Sequence, residues 1–330
     1  MGIGQIAVIG AGRIGRIHAA NARASRELSL KYVVDPIAEA AASLAEQSGA
    51  RVATFDEVLA DGEIDGVVIA SSTDTHLNYS LRALEAGRAV FCEKPVHSDL
   101  AEAKAARKRL AASGGAFLLG FNRRFDPSFQ KLKHALDQGR LGTVECVHII
   151  SHDPAPPPID YIKVSGGLFK DMAIHDFDVA RWLLGEEPVE VFASGSCLID
   201  KGIAAAGDID TARTVLRTAS GRMCVISNSR RSGYGYDQRL EVFCSRGAIR
   251  ADNVAQSTVS TWTDDGRRGD SFENFFLDRY AAAYEAEMAH FARVLAGEQP
   301  LVTYDDGVAA LELAEAAARS VAERRLVTIA

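Results

Sequence analysis

The sequence predicts an α/β protein with an N-terminal parallel sheet, followed by an α/β part with an open, mainly antiparallel sheet. Apolar runs alternate with helical patterns over the first 121 residues, and this alternation is typical of βαβ units. Beyond Phe121, extended runs separated by turn residues such as those at 245–247 favour antiparallel pairing. A length of 330 residues is enough for two domains, which we expect at residues 1–122 and 123–330.

The predicted strands of the first part are apolar enough to be buried on both faces, as strands of a parallel sheet usually are. They are Gln5–Gly10, Leu30–Asp35, Asp65–Ser71, Ala89–Glu93 and Ala116–Phe121. The helices predicted between them are Arg13–Arg23, Ile37–Ser48, His76–Gly87 and Leu100–Ser113. Gly87 and Gly114 stand where two of these helices should end, because glycine readily caps a helix C-terminus.

The second part begins with a helix and a strand and then consists mainly of strands. The extended runs are Thr143–His152, Val189–Ile199, Ala212–Thr218, Arg222–Ser229, Arg239–Cys244 and Ala248–Ala251. The predicted helices are Asp126–Gly139, Phe169–Leu184, Tyr280–Leu295 and Asp305–Arg325, the last of them mostly buried. The sequence DPAPPP at residues 153–158 cannot form regular structure and predicts a loop.

The composition disfavours several classes of function. The net charge is −7 with a pI near 5.7, so the chain lacks the basic character that nucleic-acid binding needs. No apolar run reaches the length of a membrane span, and the N-terminus runs into a strand without a signal-peptide pattern. Five cysteines, an odd number without a C-x-x-C pair, are typical of the reducing cytoplasm. No motif has zinc-ligand spacing, so we expect no metal.

A glycine-rich turn lies between the first predicted strand and the first predicted helix. The residues expected to bind a pyrophosphate are Gly10, Gly12, Arg13, Ile14 and Gly15, in a G-x-G-x-x-G pattern. In this pattern the first glycine makes the tight turn, the second lets the backbone approach the phosphates, and the third lets helix and strand pack closely. The helix N-terminus adds N–H donors and a positive dipole. Alone the pattern is weak, because glycines mark many turns.

Asp35 strengthens this interpretation, since it ends the second predicted strand 20 residues after Gly15. A carboxylate at this position accepts hydrogen bonds from the adenosine ribose hydroxyls and repels a 2′-phosphate. The next residues, at 36–38, offer no arginine to such a phosphate. The sequence therefore predicts NAD rather than NADP as the cofactor. The alternative, a tight turn and a surface aspartate, is disfavoured because strand, helix and acid are all in place.

Ser72, Thr73 and His76 follow the predicted strand Asp65–Ser71, at the sheet edge where ligands of such folds bind. They are therefore candidate cofactor contacts. The alternative is that Thr73 or Asp74 simply caps the next helix. For His76 an ordinary structural role is at least equally supported.

Glu93 and Lys94 follow another predicted strand at the same edge. Both are candidate cofactor contacts, and Lys94 could also reach a substrate hydroxyl beside the nicotinamide. The alternative is a surface ion pair ahead of a turn, and spacing alone favours that alternative.

Asp171 and His175 are four residues apart and should share one face of a helix, with Asp178 following at i+7. Removing hydride from a secondary alcohol requires a base for the hydroxyl proton. Histidine suits this role, since its ordinary pKa of about 6.5 lies near neutrality. A carboxylate alongside can orient the ring or bind neighbouring hydroxyls. The equally supported alternatives are Asp171 as a helix N-cap and His175 as a structural residue.

Together these residues resemble the glucose-fructose oxidoreductase, inositol dehydrogenase and rhizopine-catabolism (Gfo/Idh/MocA) family over essentially the whole chain. The resemblance rests on Gly10–Gly15, Asp35, Glu93-Lys94-Pro95 and Asp171-x-x-x-His175. Three stretches resemble its inositol 2-dehydrogenases in particular: Gly120–Asp126, Gly166–Asp178, and Asn228–Arg231 leading to Tyr234–Gln238.

The resemblance implies a Rossmann domain and then an α/β domain whose open antiparallel sheet packs against other subunits, commonly in a homotetramer. It implies that Lys94 contacts the reacting hydroxyl and that Asp171 and His175 form the catalytic pair, with His175 as the proton acceptor. The substrate-binding residues implied are Arg124, Asp153 and Tyr236, with Tyr234 as an alternative to Tyr236.

On this resemblance we expect NAD-dependent oxidation of a secondary hydroxyl of a cyclic polyol. Myo-inositol and scyllo-inositol are the leading substrates, and hexopyranoses such as glucose of either hand are the alternative, since epimers differ in one or two hydrogen bonds. The loop at residues 152–158 is richer in proline than the family pattern and leaves the isomer open. Rival functions are an NAD-dependent glycosidase and a non-catalytic NAD-binding sensor. An intact set of Lys94, Asp171 and His175 argues against the sensor.

Overall fold

Six parallel strands form the N-terminal sheet of the structure, a computed structural model that describes residues 2–329. The strands are β1 (Gly4–Ile9), β2 (Leu28–Val34), β3 (Arg51–Val52), β4 (Gly66–Ile69), β5 (Ala89–Glu93) and β6 (Phe117–Gly120). Their order is β3-β2-β1-β4-β5-β6, and every neighbouring pair is parallel. In this doubly wound order the strand progression reverses between β1 and β4, whose carboxyl ends border the usual ligand crevice.

Five helices connect these strands: α1 (Arg13–Ala24), α2 (Ala38–Ser48), α3 (Phe55–Ala60), α4 (Thr73–Glu85) and α5 (Leu100–Ser113). The prediction of a parallel sheet is confirmed, but it lacks β3 and α3. Two residues are too few for β3 to create a periodic pattern. For α3 a signal was present, because Thr54 and Glu57 form a reciprocal capping box at its N-terminus.

The second sheet has seven strands and is mainly antiparallel, as predicted. Its strands are β7 (Val144–His152), β8 (Pro188–Ser196), β9 (Thr211–Thr218), β10 (Met223–Ser229), β11 (Asp237–Cys244), β12 (Gly247–Ala251) and, after a separate hairpin of β13 (Ser260–Thr263) and β14 (Gly266–Gly269), β15 (Val327–Thr328). The order is β12-β11-β7-β10-β9-β8-β15. Only β7 and β10 are parallel neighbours within this described sheet.

The remaining helices are α6 (Pro127–Asp137), α7 (Ile159–Ser165), α8 (Ile174–Leu184), α9 (Lys201–Ala205), α10 (Phe276–Arg279), α11 (Ala281–Leu295) and α12 (Tyr304–Glu323). Ten of the 20 residues of α12 are buried and five are exposed, so the helix is less completely buried than its alanine-rich pattern predicts. Among residues 2–329, no helix combines the length and apolar character needed to cross a membrane.

The chain forms two compact units, each with its own sheet. The first comprises the residues up to Phe125 together with Ala283–Ala309, so most of α11 belongs with the parallel sheet. Phe291 of α11 packs there against Phe91 of β5, with ring centroids 5.6 Å apart. The second unit comprises Asp126–Ala282 and the residues from Ala310 onward, and it contains the seven-stranded sheet.

Candidate active site

The glycine-rich turn after β1 has a backbone that side chains would obstruct at two of its three glycines. Gly10 has φ +106°, and a Cβ there would lie 2.5 Å from the carbonyl oxygen of Ala70. A Cβ on Gly15 would lie 1.9 Å from the carbonyl oxygen of Gly10, so the helix and the turn pack too closely for any side chain. A Cβ on Gly12 would meet nothing within 4 Å, and the backbone there is open to a ligand.

The N-terminus of α1 begins at this turn. Gly12 is its N-cap and supplies no side-chain hydrogen bond, and no acidic residue stands in the first turn. Arg13 is exposed and Ile14 is half-buried. A helix N-terminus whose amides are not capped by a side chain, with its positive dipole end, suits a pyrophosphate. The residues present therefore fit the dinucleotide that the sequence predicts.

The Asp35 carboxylate lies beside the glycine turn, directly after β2. Its Oδ2 accepts a hydrogen bond from the Ala11 N–H at 2.6 Å, and its Oδ1 accepts one from the Ile37 N–H at 2.8 Å. The residue is half-buried, and each carboxylate oxygen can accept a further hydrogen bond. A carboxylate held in this way can receive ribose hydroxyls and repel a 2′-phosphate.

The segment after β4 begins α4 earlier than the hydrophobic pattern predicts. Ser72 is the N-cap and Thr73 is the first helical residue, so capping by Thr73 or Asp74 is wrong as an alternative. Ser72 is exposed, and its side chain makes no capping hydrogen bond. The helix starts on polar residues that carry no periodic signal, which explains the difference.

His76 is a buried link between two strand ends. It is 2% exposed, with Nδ1 2.8 Å from the carbonyl oxygen of Pro95 and Nε2 3.1 Å from that of Ser71. Two carbonyl acceptors favour the ring form with two N–H donors. Burial lowers the pKa of His76, but the Cys92 sulfur and the two carbonyls outweigh burial and raise that pKa to about 9. His76 thereby connects the segment after β4 to the segment that carries Lys94.

Glu93 is the last residue of β5, and Lys94 follows it; both are half-buried in the first unit. The Glu93 carboxylate accepts a hydrogen bond from His18 of α1, with Nε2 and Oε1 2.7 Å apart. Sequence reasoning did not identify His18, which lies 75 residues from Glu93 and inside an otherwise ordinary helical pattern.

Asp171 and His175 share the accessible side of one helical segment in the second unit. The segment begins as a π-helical turn, Phe169–Ala173, and continues as α8. Between residues 171 and 181 these two alone are not fully buried. Asp171 lies within the π turn, so it is not a helix N-cap, and π turns are frequent at functional sites. Asp178, which follows at i+7, is 0% exposed and lies 3.8 Å from Arg181.

Asp171 is held by two side chains. The Tyr161 hydroxyl donates a hydrogen bond to its Oδ1 at 2.9 Å, and Arg230 Nη1 lies 3.4 Å from its Oδ2. Arg230 is only 1% exposed, and its Nη2 lies 3.3 Å from Oδ2 of Asp208. The prediction includes neither Tyr161 and Arg230 as partners of Asp171 nor Asp208 as a partner of Arg230. For Arg230 the sequence gives one signal, the stretch Asn228–Arg231. It resembles inositol 2-dehydrogenases, but the resemblance assigns no role to Arg230.

Asp208 also fixes the loop before Asp171. Its Oδ1 accepts a hydrogen bond from the Leu168 N–H at 3.0 Å. A Cβ on Gly167, which has φ +84°, would lie 2.9 Å from the same oxygen. Glycine is therefore required at 167, where the Asp208 side chain approaches the backbone closely.

The three residues with an implied polyol-binding role have different surroundings. Arg124, in the first unit, is 6% exposed and pairs with Asp306 at 2.9 Å. Asp153 is half-buried, and its N–H donates to the Ser229 carbonyl at 2.9 Å. Tyr236 is 6% exposed, and its ring packs edge-on against Tyr280.

Tyr234, the alternative to Tyr236, is 56% exposed. Its hydroxyl donates a hydrogen bond to Asp237 at 2.6 Å. The Asp237 carboxylate holds that proton and raises the pKa of Tyr234. Tyr234 is therefore engaged with the start of β11.

Comparison with known proteins gives full-length matches. Residues 5–121 match the oxidoreductase family with an NAD-binding Rossmann fold, and residues 129–250 match the GFO/IDH/MocA C-terminal domain. The chain is 46% identical to inositol 2-dehydrogenase of Rhizobium meliloti, over 99% of both chains. It is 45% identical to myo-inositol 2-dehydrogenase of Thermotoga maritima, over 98% of both. Scyllo-inositol dehydrogenase from Lactobacillus casei, solved with bound NAD(H) and scyllo-inositol, matches with a TM-score of 0.91 at 28% identity, over 99% of both.

Proposed function

The chain belongs to the GFO/IDH/MocA oxidoreductase family, and we propose that it oxidises one secondary hydroxyl of an inositol with NAD⁺. One observation carries the substrate class: the similarity to proteins named inositol 2-dehydrogenase extends over the whole chain. Myo-inositol and scyllo-inositol are the substrates, and the product is the corresponding inosose.

Bound NAD⁺ supplies the acceptor for the hydride that leaves the substrate carbon. The residues that hold it in this proposal are Gly10, Gly12, Arg13, Ile14, Gly15 and Asp35, with Ser72, Thr73, His76, Glu93 and Lys94 at the neighbouring strand ends. The uncapped start of α1 and the fixed Asp35 carboxylate support this assignment. Asp35 selects NAD over NADP, because a carboxylate repels a 2′-phosphate.

His175 accepts the proton of the reacting hydroxyl. The carbon that bears this hydroxyl loses its hydride, so the alcohol becomes a ketone. Lys94 contacts that oxygen, where its ammonium group stabilises the negative charge that develops. Asp171 orients the substrate or the imidazole, and its contacts with Tyr161 and Arg230 support a fixed orientation. Arg124, Asp153 and Tyr236 contact the remaining hydroxyls.

The decisive experiment is a panel of inositols and hexopyranoses with NAD⁺, followed by NADH absorbance. We expect steady NADH formation with myo-inositol or scyllo-inositol. Preference for a hexopyranose would replace inositol by a sugar substrate. No NADH with any free polyol, combined with hydrolysis of a glycoside, would make the protein a glycosidase.

We also infer that copies of this chain assemble through the outer face of the second sheet, as a homotetramer. Phe192, Val215 and Val225 are adjacent in one row across β8, β9 and β10, and Met223 and Phe243 flank Cys146 in the next row. Four of these apolar side chains are 37–45% exposed. A cluster of exposed apolar side chains on one face of a sheet commonly marks a protein interface. Light scattering of the purified protein tests this, and a monomer would refute it.

All five cysteines carry free thiols. This supports placing the protein in a reducing compartment, the cytoplasm. Fractionation of cells that produce the protein tests the placement, which a periplasmic or secreted pool would contradict.

A further inference from the structure

A buried cluster of three titratable side chains lies next to Lys94, within the first unit. Its members are His18 of α1, Glu93 at the end of β5 and Glu287 of α11. Their polar atoms lie within 4.8 Å of one another. His18 and Glu287 are 0% exposed, and the Glu93 side chain is 13% exposed.

Glu287 is the unusual member. Neither of its carboxylate oxygens has a hydrogen-bond partner among the described residues. Burial raises the pKa of Glu287 well above its usual range, and the Glu93 carboxylate raises it further. A carboxyl group in these surroundings carries its proton at neutral pH, because an isolated buried charge is far more costly than a neutral acid.

The His18 ring shows which proton pattern the cluster uses. Nε2 faces Glu93, whereas Nδ1 has no partner among the described residues. Nε2 therefore carries the hydrogen and donates it to Glu93, and Nδ1 is left bare. A metal ion on Nε2 would move that hydrogen to Nδ1, where nothing accepts it, although ligating histidines normally have such an acceptor. The arrangement thus disfavours a metal ion on Nε2 of His18.

Glu93 is held tightly in this arrangement. A Cβ on Gly120 of β6 would lie 3.0 Å from Glu93 Oε2, so the carboxylate packs directly against the neighbouring strand. The ring of His18 packs edge-on against Phe91 and Tyr284, at 4.8 and 5.9 Å between centroids. The titratable groups of the described residues that lie close to Glu287 in this cluster are His18 on α1 and Glu93 on β5. Tyr284, on the same helix as Glu287, contacts the His18 ring.

We propose that His18 and a protonated Glu287 are positioning residues, which fix Glu93 and through it Lys94, and so connect the cofactor helix α1 to the catalytic lysine. The proposal rests on the function proposed above for Lys94. His18 supplies the hydrogen bond that orients Glu93. The proton on Glu287 keeps a second negative charge away from Glu93, which would otherwise be driven from its place.

The test compares His18→Leu with His18→Gln, whose amide N–H can replace Nε2–H. We expect His18→Leu to lower kcat about tenfold or more, as for loss of a hydrogen bond to a charged group, and His18→Gln to restore most of it. Calorimetric Kd for NAD⁺ should change much less than kcat in both variants. A folded His18→Leu protein with the wild-type kcat would overturn the positioning role.

Infrared spectroscopy tests whether Glu287 is protonated, and this measurement does not depend on enzyme activity. The wild type at neutral pH should give a carbonyl band of a buried protonated carboxyl group, and Glu287→Gln should lack it. Glu285→Gln, an exposed position on the same helix, is the control and should keep the band. Absence of the band from the wild type, or a stoichiometric metal that Glu287→Gln loses, would overturn the protonated cluster.

These results are separable from the proposed function. A wild-type protein that forms no NADH with any polyol would refute the proposed reaction. The infrared band, the metal content and the NAD⁺ affinity would still decide the state of the cluster.

Discussion

Arg230 and Asp171 form an ion pair in which the guanidinium group is almost completely buried. The same guanidinium contacts Asp208, so one buried positive charge lies between two carboxylates. Removing one partner of a buried pair leaves an uncompensated charge, which is more damaging than losing a surface pair. Arg230 therefore matters both for the second unit's stability and for the orientation of Asp171.

We expect Arg230→Met to lower the free energy of unfolding by about 3–5 kcal/mol, because it leaves Asp171 and Asp208 without their cation. Arg230→Lys keeps the charge but not the forked guanidinium group that contacts both carboxylates. It should therefore be more stable than Arg230→Met and have a lower kcat than the wild type. Thermal unfolding and steady-state kinetics measure both effects. Arg231→Met, at an exposed neighbouring position, is the control. Equal unfolding temperatures for the 230 and 231 variants would contradict the prediction.

His175→Ala should lower kcat by about 10²–10⁴, the usual contribution of a general base. NAD⁺ should still bind with the wild-type Kd, because the glycine turn and Asp35 belong to the other unit. Kinetics with the best polyol and calorimetry with NAD⁺ check the two halves of this statement. His134→Ala on α6 is the control, and near-normal turnover of His175→Ala would remove it as the base.

Asp35→Ser should relax the discrimination against NADP. The substitution removes the negative charge that repels a 2′-phosphate. Each loss of about 1.4 kcal/mol of this repulsion should raise the kcat/KM for NADP about tenfold relative to that for NAD. It also removes the acceptor for the Ala11 N–H, so NAD⁺ affinity should fall as well. The kcat/KM ratio for the two cofactors is the measurement. An unchanged ratio would mean that the ribose is recognised elsewhere.

Much of the NAD-binding half could be predicted because its signals are local. A strand, three glycines at fixed spacing and an acid at the end of the next strand all lie within 35 residues. The partners of Asp171 and Glu93 could not be predicted in this way. Arg230 lies 59 residues from Asp171, and His18 lies 75 residues from Glu93, so only the folded chain brings them together. The burial of Asp178 was missed because a helical period does not reveal which side of a helix is covered.

Gly12 and Gly15 should respond differently to alanine. At Gly12 the added Cβ meets no protein atom, so Gly12→Ala should unfold at the wild-type temperature but bind NAD⁺ more weakly. At Gly15 the Cβ would collide with the Gly10 carbonyl, so Gly15→Ala should lower the unfolding temperature. Thermal unfolding without cofactor, together with NAD⁺ titration, separates the two effects. Gly62→Ala is the control, because its added Cβ meets no atom within 4 Å. Gly49→Ala is unsuitable, because a φ of +73° is itself unfavourable for alanine.

Glu287→Gln should stabilise the protein, and more so as the pH rises. The pKa of Glu287 is raised in the folded protein, chiefly by burial. The folded protein therefore keeps a proton that the unfolded chain loses above about pH 4.3, the ordinary pKa of glutamate. The free energy of unfolding of the wild type is therefore not reduced by Glu287 below that pH. It falls as the pH rises toward the pKa of Glu287 in the folded protein, by at most about 1.4 kcal/mol per pH unit. Glutamine is neutral throughout and escapes this loss.

The measurement is the unfolding temperature of wild type and Glu287→Gln from about pH 5 to about pH 8, the range in which ionisation of a buried acid opposes folding. The difference between the two proteins should widen steadily with pH. Glu285→Gln changes an exposed side chain on the same helix, so its difference from wild type should stay flat. A difference for Glu287→Gln that stays flat would mean that Glu287 ionises as easily in the folded protein as in the unfolded chain. Such ease requires a compensating cation beside it, because burial alone cannot leave a carboxylate unpenalised.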